Sequence, residues 1–169
     1  MTVLHLRQVR LRPGEEYRDT LDVELAAVDL GGQQYLPVPS TVPAEIVLTR
    51  TTNGTVFALS FDARVHGPCF RCLDDAALDL HIRAREYQAL DPQNDPELQT
   101  EYVRDSVLDV STWAHDALVL DLPDKILCRP DCAGLCPICG KNLNDEPHTH
   151  DEVPSDPRWA ALEELRDQL

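Results

Sequence analysis

The stretch AEIVLTRTTNGTVFALSFDARVHGPCFRCLDDAALDLHIRAREY, residues 44–87, decides the fold. Residues 44–51 and 55–66 are rich in β-branched and aromatic side chains, and they flank Asn53-Gly54. That dipeptide is the strongest short hairpin signal, because both residues tolerate the positive φ that a tight two-residue turn demands. Past Gly67-Pro68 and Cys69-Phe-Arg-Cys72, the apolar Leu78, Leu80, Ile82 and Ala84 recur at every second position of residues 76–87. A period of two places them on one face of a strand. Three consecutive antiparallel strands are therefore expected, with Cys69 and Cys72 in the connection between the second and third.

Upstream, Leu4 and Leu6 hold even positions while Val9 and Leu11 hold odd ones. A bulge near Arg7 and Gln8 would let all four face the core, and it would gather His5, Arg7, Arg10 and Arg12 on the opposite face. Charged residues of this kind serve either as a solvated edge that keeps a strand from pairing or as a basic binding stripe. Residues 20–30 read equally as a strand or a short helix. Residues 35–40, with Pro37 and Pro39, read as an extended loop, and residues 90–99 as a Pro- and Asp-rich surface loop. Asp109 is an N-cap for a helix carrying Val110, Trp113, Ala117, Leu118 and Leu120, which Pro123 stops. Near the C-terminus, Asp156-Pro157 starts a second helix able to bury Trp159, Leu162 and Leu169. The expected architecture is α+β: an antiparallel β-sheet with two helices and a zinc-stapled C-terminal segment. Residues 1–123 form a β-rich core with one helix, and residues 124–169 form the zinc-binding segment and C-terminal helix packed on that core, in a single domain.

The chain has 169 residues, 30 acids, 15 Lys and Arg, and a formal net charge of −15. A hydrophobic fraction of 43% excludes a disordered acidic tail. The acidity excludes binding of nucleic acid by bulk charge, which rests on Lys and Arg neutralising phosphates. It is unevenly spread, with eight acids and seven bases in residues 1–72 but 22 acids and eight bases in residues 73–169. No apolar run approaches the ~20 residues of a membrane span, and the N-terminus has no secretory pattern, so a cytoplasmic protein with no membrane contact is expected. Clustered Cys without a secretory segment point to metal ligation in preference to disulfides.

The segment CRPDCAGLCPICGKNLNDEPHTH, residues 128–150, carries the chemistry. Cys136-Pro-Ile-Cys139-Gly140 has the form of a zinc knuckle, a tight turn that aims two thiolates at one point. His148 and His150, two residues apart, offer imidazoles from one side of an extended chain. Cys136, Cys139, His148 and His150 thus complete one tetrahedral set. Cys69, Cys72, Cys128 and Cys132 form a second, four-thiolate set that would clamp the strand connection to the C-terminal segment. The competing division joins Cys128, Cys132, Cys136 and Cys139 in one site; Cys69 and Cys72 would then be buried thiols. One or two zinc ions are implied either way.

A catalytic zinc keeps an open position and a general base, whereas four protein ligands close the site, so the zinc is read as structural and the protein as no enzyme. A thioredoxin-type role for Cys69-Phe-Arg-Cys72 would need the first Cys at a helix N-terminus, and the flanks predict strands. No phosphate loop or nucleophile elbow is present, which leaves no small-molecule substrate in view. His66 and His115 stand alone.

Together, Cys69-Phe-Arg-Cys72-Leu73, Asp109-Val110 leading to Leu118-Val-Leu-Asp-Leu-Pro123, Cys128…Cys132-Ala-Gly-Leu-Cys136-Pro-Ile-Cys139-Gly-Lys-Asn-Leu-Asn144 and Asp156-Pro157-Arg158-Trp159 resemble the YceD-like family. The likeness covers roughly residues 45–165. Members are described as large-ribosomal-subunit rRNA accumulation proteins. Many relatives have a Cys-x-Cys pair where this chain has His148 and His150, and imidazole replaces thiolate readily on zinc. Some members lack the C-terminal cysteines, which implies a stabilising module rather than the shared activity. The resemblance implies a non-catalytic factor in synthesis, processing or accumulation of large-subunit rRNA. If it touches precursor rRNA directly, His5, Arg7, Arg10, Arg12 and Arg71 are the expected contacts. The alternative is an acidic adaptor that binds a basic ribosomal protein or a processing enzyme without touching RNA.

Overall fold

A computed structural model describes residues 1–91 and 96–150. Among them are nine strands and one α-helix. The strands are β1 (Val3–His5), β2 (Glu16–Glu24), β3 (Val28–Leu30), β4 (Gln33–Pro37), β5 (Thr41–Arg50), β6 (Gly54–Pro68), β7 (Asp75–Ala89), β8 (Val103–Arg104) and β9 (Val107–Asp109), and the helix is α1 (Val110–Asp121). Every strand pairing is antiparallel.

β6 organises the sheet. Along its whole length it pairs β7, from Gly54 opposite Ala89 to Pro68 opposite Asp75. Its other edge is shared, with β5 on the first half and β4 on the second. β2 then extends β5, and β3 extends β4. The alternation seen in the sequence is the inside-outside alternation of the sheet: Phe57, Leu59, Phe61, Ala63 and Val65 of β6 are buried, as are Val42, Ala44, Ile46 and Leu48 of β5. α1 packs against β7, β2 and β1. Because β2 and β7 are three strands apart in the order β2-β5-β6-β7, contact with both requires the sheet to curl around the helix. Trp113, Ala114 and Leu118 of α1 join the same core as the strands.

Several local expectations are met. Asp109 caps α1 by accepting the Thr112 N–H at 3.0 Å, and the helix ends at Asp121, ahead of Pro123. Others change. Residues 20–30 resolve into strand, with residues 25–27 between β2 and β3. Tyr35–Pro37, expected as loop, belongs to β4; Pro37 takes its last position, where a missing N–H costs the ladder little. The slip near Arg7 is not a bulge but a 3-10 turn over Leu6–Gln8, closed by Val9 N–H donating to Leu6 O at 3.1 Å. It has the sidedness a bulge would have produced. Leu4, Leu6, Val9 and Leu11 pack on the core, and His5, Arg7, Arg10 and Arg12 are exposed. Leu120 is 85% exposed despite its helical spacing, beside a shallow cleft with β7.

One α-helix is present among the described residues instead of two. The helix expected after Asp156-Pro157, with Trp159, Leu162 and Leu169, lies outside them, and so do residues 151–169 of the expected zinc-binding segment. Downstream of α1, Ile126 and Cys132 are 2% and 1% exposed and belong to the main core. No helix among the described residues is long and apolar enough to cross a membrane.

Candidate metal centres and a basic groove

Two turns of the same design present the paired cysteines. In the β6–β7 connection, the Cys69 N–H donates to Asp74 O at 2.7 Å and the Leu73 N–H to Cys69 O at 3.0 Å. In the second turn, the Cys136 N–H donates to Lys141 O and the Gly140 N–H to Cys136 O, both at 2.8 Å. The residue after each pair must turn left-handed: Gly140 has φ +74° and Leu73 φ +66°. Glycine adopts that conformation freely, whereas a leucine there is strained by roughly 1 kcal/mol. Both turns also aim backbone N–H groups at the first sulfur. Hydrogen bonds from the amides of Cys139 and Ile138 bring Cys136 down to about 6. Burial pushes Cys69 up, but the amides of Cys72, Cys128 and Arg71 together outweigh it and hold the thiol at about 6. Burial raises Cys72 and Cys128 instead.

The chain folds these turns into two groups of four ligand atoms, each group lying within 4.8 Å: Cys69, Cys72, Cys128 and Cys132; and Cys136, Cys139, His148 and His150. The division that joins all four C-terminal cysteines is not the one the fold adopts. Within the first group, the Cys69 and Cys132 sulfurs are 3.8 Å apart and those of Cys72 and Cys128 are 3.5 Å apart. A tetrahedral zinc site with ~2.3 Å bonds to sulfur has edges of about 3.8 Å. Both donor sets, all thiolate and thiolate with imidazole, suit zinc. His148 Nδ1 faces Glu146 O at 2.7 Å and, as the N–H donor, leaves Nε2, 3.1 Å from Cys139 Sγ, as the ligand atom. The groups differ in exposure. Cys69, Cys72 and Cys132 are buried, whereas only Cys136 is buried in the second group.

Polar residues whose role was not legible from spacing lock the two groups together. Asn144 Nδ2 donates to Cys132 Sγ at 3.4 Å while its Oδ1 accepts the Ala133 N–H at 2.8 Å. Asn142 Nδ2 donates to Asp74 Oδ2 at 2.8 Å, tying the second turn to the first. Gly134, at φ +81°, passes so close that a β-carbon would lie 3.2 Å from Arg71 O. The only sequence signal for these contacts is the Asn-Leu-Asn run directly behind the second turn.

The basic residues divide. Arg7, Arg10 and Arg12 line one groove of about 890 Å³, together with Arg50. His5 is exposed on β1 and is not among the lining residues. Arg71 belongs to the metal end: its Nη1 donates to Cys132 O at 2.7 Å, and its carbonyl accepts the Leu135 N–H at 3.1 Å. The groove takes in Thr55 and Ala89 at the opposite end of the β6–β7 hairpin. Thr55 and Arg71 are thus separated by nearly the whole of β6, roughly 40 Å of strand at ~3.3 Å per residue.

Residues 57–166 match the family described as "Large ribosomal RNA subunit accumulation protein YceD". The chain belongs to the YceD family. It is 36% identical over 168 residues to an uncharacterised protein of Mycobacterium tuberculosis, with 91% of this chain and 76% of the relative covered. An uncharacterised Mycobacterium bovis protein matches to the same extent. An uncharacterised protein of Mycobacterium leprae is 32% identical, covering 86% of this chain and 64% of the relative. No solved structure matches significantly. The YceD match includes all three cysteine pairs, α1, His148 and His150, but it starts within β6 and so leaves Arg7, Arg10 and Arg12 outside.

Proposed function

We propose that this protein is a non-catalytic factor that promotes synthesis, processing or accumulation of large-subunit rRNA, that two structural zinc ions hold its shape, and that it touches precursor rRNA through Arg7, Arg10 and Arg12. Membership in a family described by rRNA accumulation carries the reading. The ligand groups add support, since four protein donors each leave no open position for substrate or activated water. Cys69 and Cys72 join two strands, unlike a thioredoxin-type pair at a helix N-terminus. The test replaces Arg7, Arg10 and Arg12 together by Glu and measures affinity for precursor large-subunit rRNA. Loss of binding with an unchanged fold supports the reading, and unchanged affinity at moderate salt refutes direct contact through this face.

The charge of residues 73–169, 22 acids against eight bases, favours a second reading, an acidic adaptor for a basic ribosomal protein or a processing enzyme. Ribosomal or processing partners that remain bound after nuclease treatment support the adaptor; their loss supports RNA.

A further inference from the structure

The groove at the N-terminal end combines two features, of which phosphate neutralisation needs only the first. One is charge. Arg7, Arg10, Arg12 and Arg50 face two carboxylates, Glu15 and Asp105, giving a net positive lining in a protein whose formal charge is −15. Glu15 is engaged, its Oε2 accepting the Arg12 N–H at 2.8 Å. Arg7, Arg10 and Arg12 are exposed and make no ion pair among the described residues. The other feature is an apolar lining of Leu90, half exposed, with the partly exposed Val9, Leu11 and Val103; Leu48 and Phe57, which also border the groove, are buried.

The walls are held in place. Arg50 Nη1 donates to Thr55 Oγ1 at 2.9 Å, and the backbone of Arg50 is bonded in both directions to Gly14 and Glu15 at 2.7 and 3.0 Å. Opposite, the β8–β9 turn brings in Asp105 and Ser106 at φ +51° and +65°, a conformation that residues with a β-carbon disfavour. Ser106 O accepts the Leu6 N–H at 2.9 Å, which fixes that turn to the segment bearing Arg7.

An RNA duplex offers such a groove phosphates, hydroxyls and base edges but not the flat faces of its bases, which are stacked inside an A-form helix. An unpaired nucleotide offers both halves of the match: a flat apolar base for the apolar lining and phosphates for the guanidiniums, which also stack on bases. A basic peptide would be repelled by the same arginines. We propose that this groove takes an unpaired nucleotide of single-stranded RNA, its base against Leu11 and Leu90 and its phosphates against Arg7, Arg10, Arg12 and Arg50. The inference rests on the RNA reading above and specifies the form of RNA bound.

The test is fluorescence anisotropy with a short single-stranded RNA and with a blunt duplex of the same sequence, using the whole chain loaded with zinc. The expected preference for the single strand is about tenfold, the scale of one stacked base. Leu90→Glu leaves every arginine in place and reduces that preference toward one; the ratio of the two affinities cancels general charge repulsion. Replacing Arg7, Arg10 and Arg12 by Gln lowers the slope of log affinity on log salt for the single strand by about 2, since each neutralised phosphate contributes ~0.7. Equal wild-type binding of both RNAs, or a preference unmoved by Leu90→Glu, overturns the nucleotide pocket and leaves the RNA reading standing. Absence of binding to either RNA overturns both.

Discussion

The two ligand groups should differ in what their loss does to the protein. Removing one ligand from the first group, by Cys72→Ala, opens a cross-link between residues 56 apart in sequence, and the Cys69–Cys132 contact spans 63. Cys139→Ala opens the second group, where Cys139 and His148 are only nine residues apart. Loop-closure entropy makes the longer clamp worth about 4 kcal/mol and the shorter about 2.6 kcal/mol. Location widens the gap. The first clamp holds Ile126 and Cys132 in the main core, whereas the second ties together residues 136–150, of which only Cys136 is buried, so its loss is a local opening. At ~2–4 °C per kcal/mol, Cys72→Ala should lower Tm by roughly 8–16 °C, while Cys139→Ala should leave the main transition within about 2 °C. Each variant should hold one zinc per chain against two in the parent. Calorimetry in chelator-free buffer and elemental analysis of the same samples measure both. An equal fall in Tm for the two variants would refute the entropic argument, and either variant retaining two equivalents would refute the division of ligands.

Asp109→Ala should cost about 1 kcal/mol, the usual loss when an N-cap acceptor is removed, read as a parallel shift of the urea transition; no shift would mean the Thr112 amide finds water at no cost. Gly67→Ala should cost more, roughly 1–3 kcal/mol of overpacking, because its β-carbon would lie 2.8 Å from Gln34 O and collide with the ring of Tyr35, which is 1% exposed and donates to Pro68 O. A loss below ~0.5 kcal/mol would show that the strand yields there. Burial, reinforced by the hydrogen bond to Asp116, pushes Tyr102 up to about 12. The fold thus favours the neutral phenol. Its contribution is complete below the ordinary value near 10 and is lost as pH rises toward 12. Melting curves across that window should steepen in their pH dependence for the parent and flatten for Tyr102→Phe, and identical profiles would contradict the assignment.

Much of the fold was legible because its signals are local. The period-two runs and Asp109 before α1 each report on neighbours within a few residues, and the strands and cap follow them. The hairpin forms where expected, but its turn closes from Thr51 to Gly54, with Gly54 already in β6 and neither Asn53 nor Gly54 at positive φ. The N-terminal slip shows the limit of such signals. Apolar spacing implied that Leu4, Leu6, Val9 and Leu11 share a side, yet a bulge and a 3-10 turn satisfy that spacing equally. The turn is what brings the Leu6 N–H to Ser106 O, a partner 100 residues away. Charge alone groups Arg71 with the N-terminal arginines. Its guanidinium is instead committed to Cys132 O, at the far end of β6 from the groove.

The sequence by itself determined the strand order through the central hairpins, the site and cap of α1, the chelating pairs and the concentration of negative charge after residue 72. It could not decide how the pairs combine. Two residues two to four apart converge through their own turn, but Cys69 meets Cys132 only because β6 and β7 carry their connection to the segment after α1. The same holds for the groove, where Arg50 joins Arg7, Arg10 and Arg12 only through backbone bonds that cross 35 residues of chain. Contacts between residues so far apart are selected by the packing of the whole core, and no local pattern of residue types records that packing.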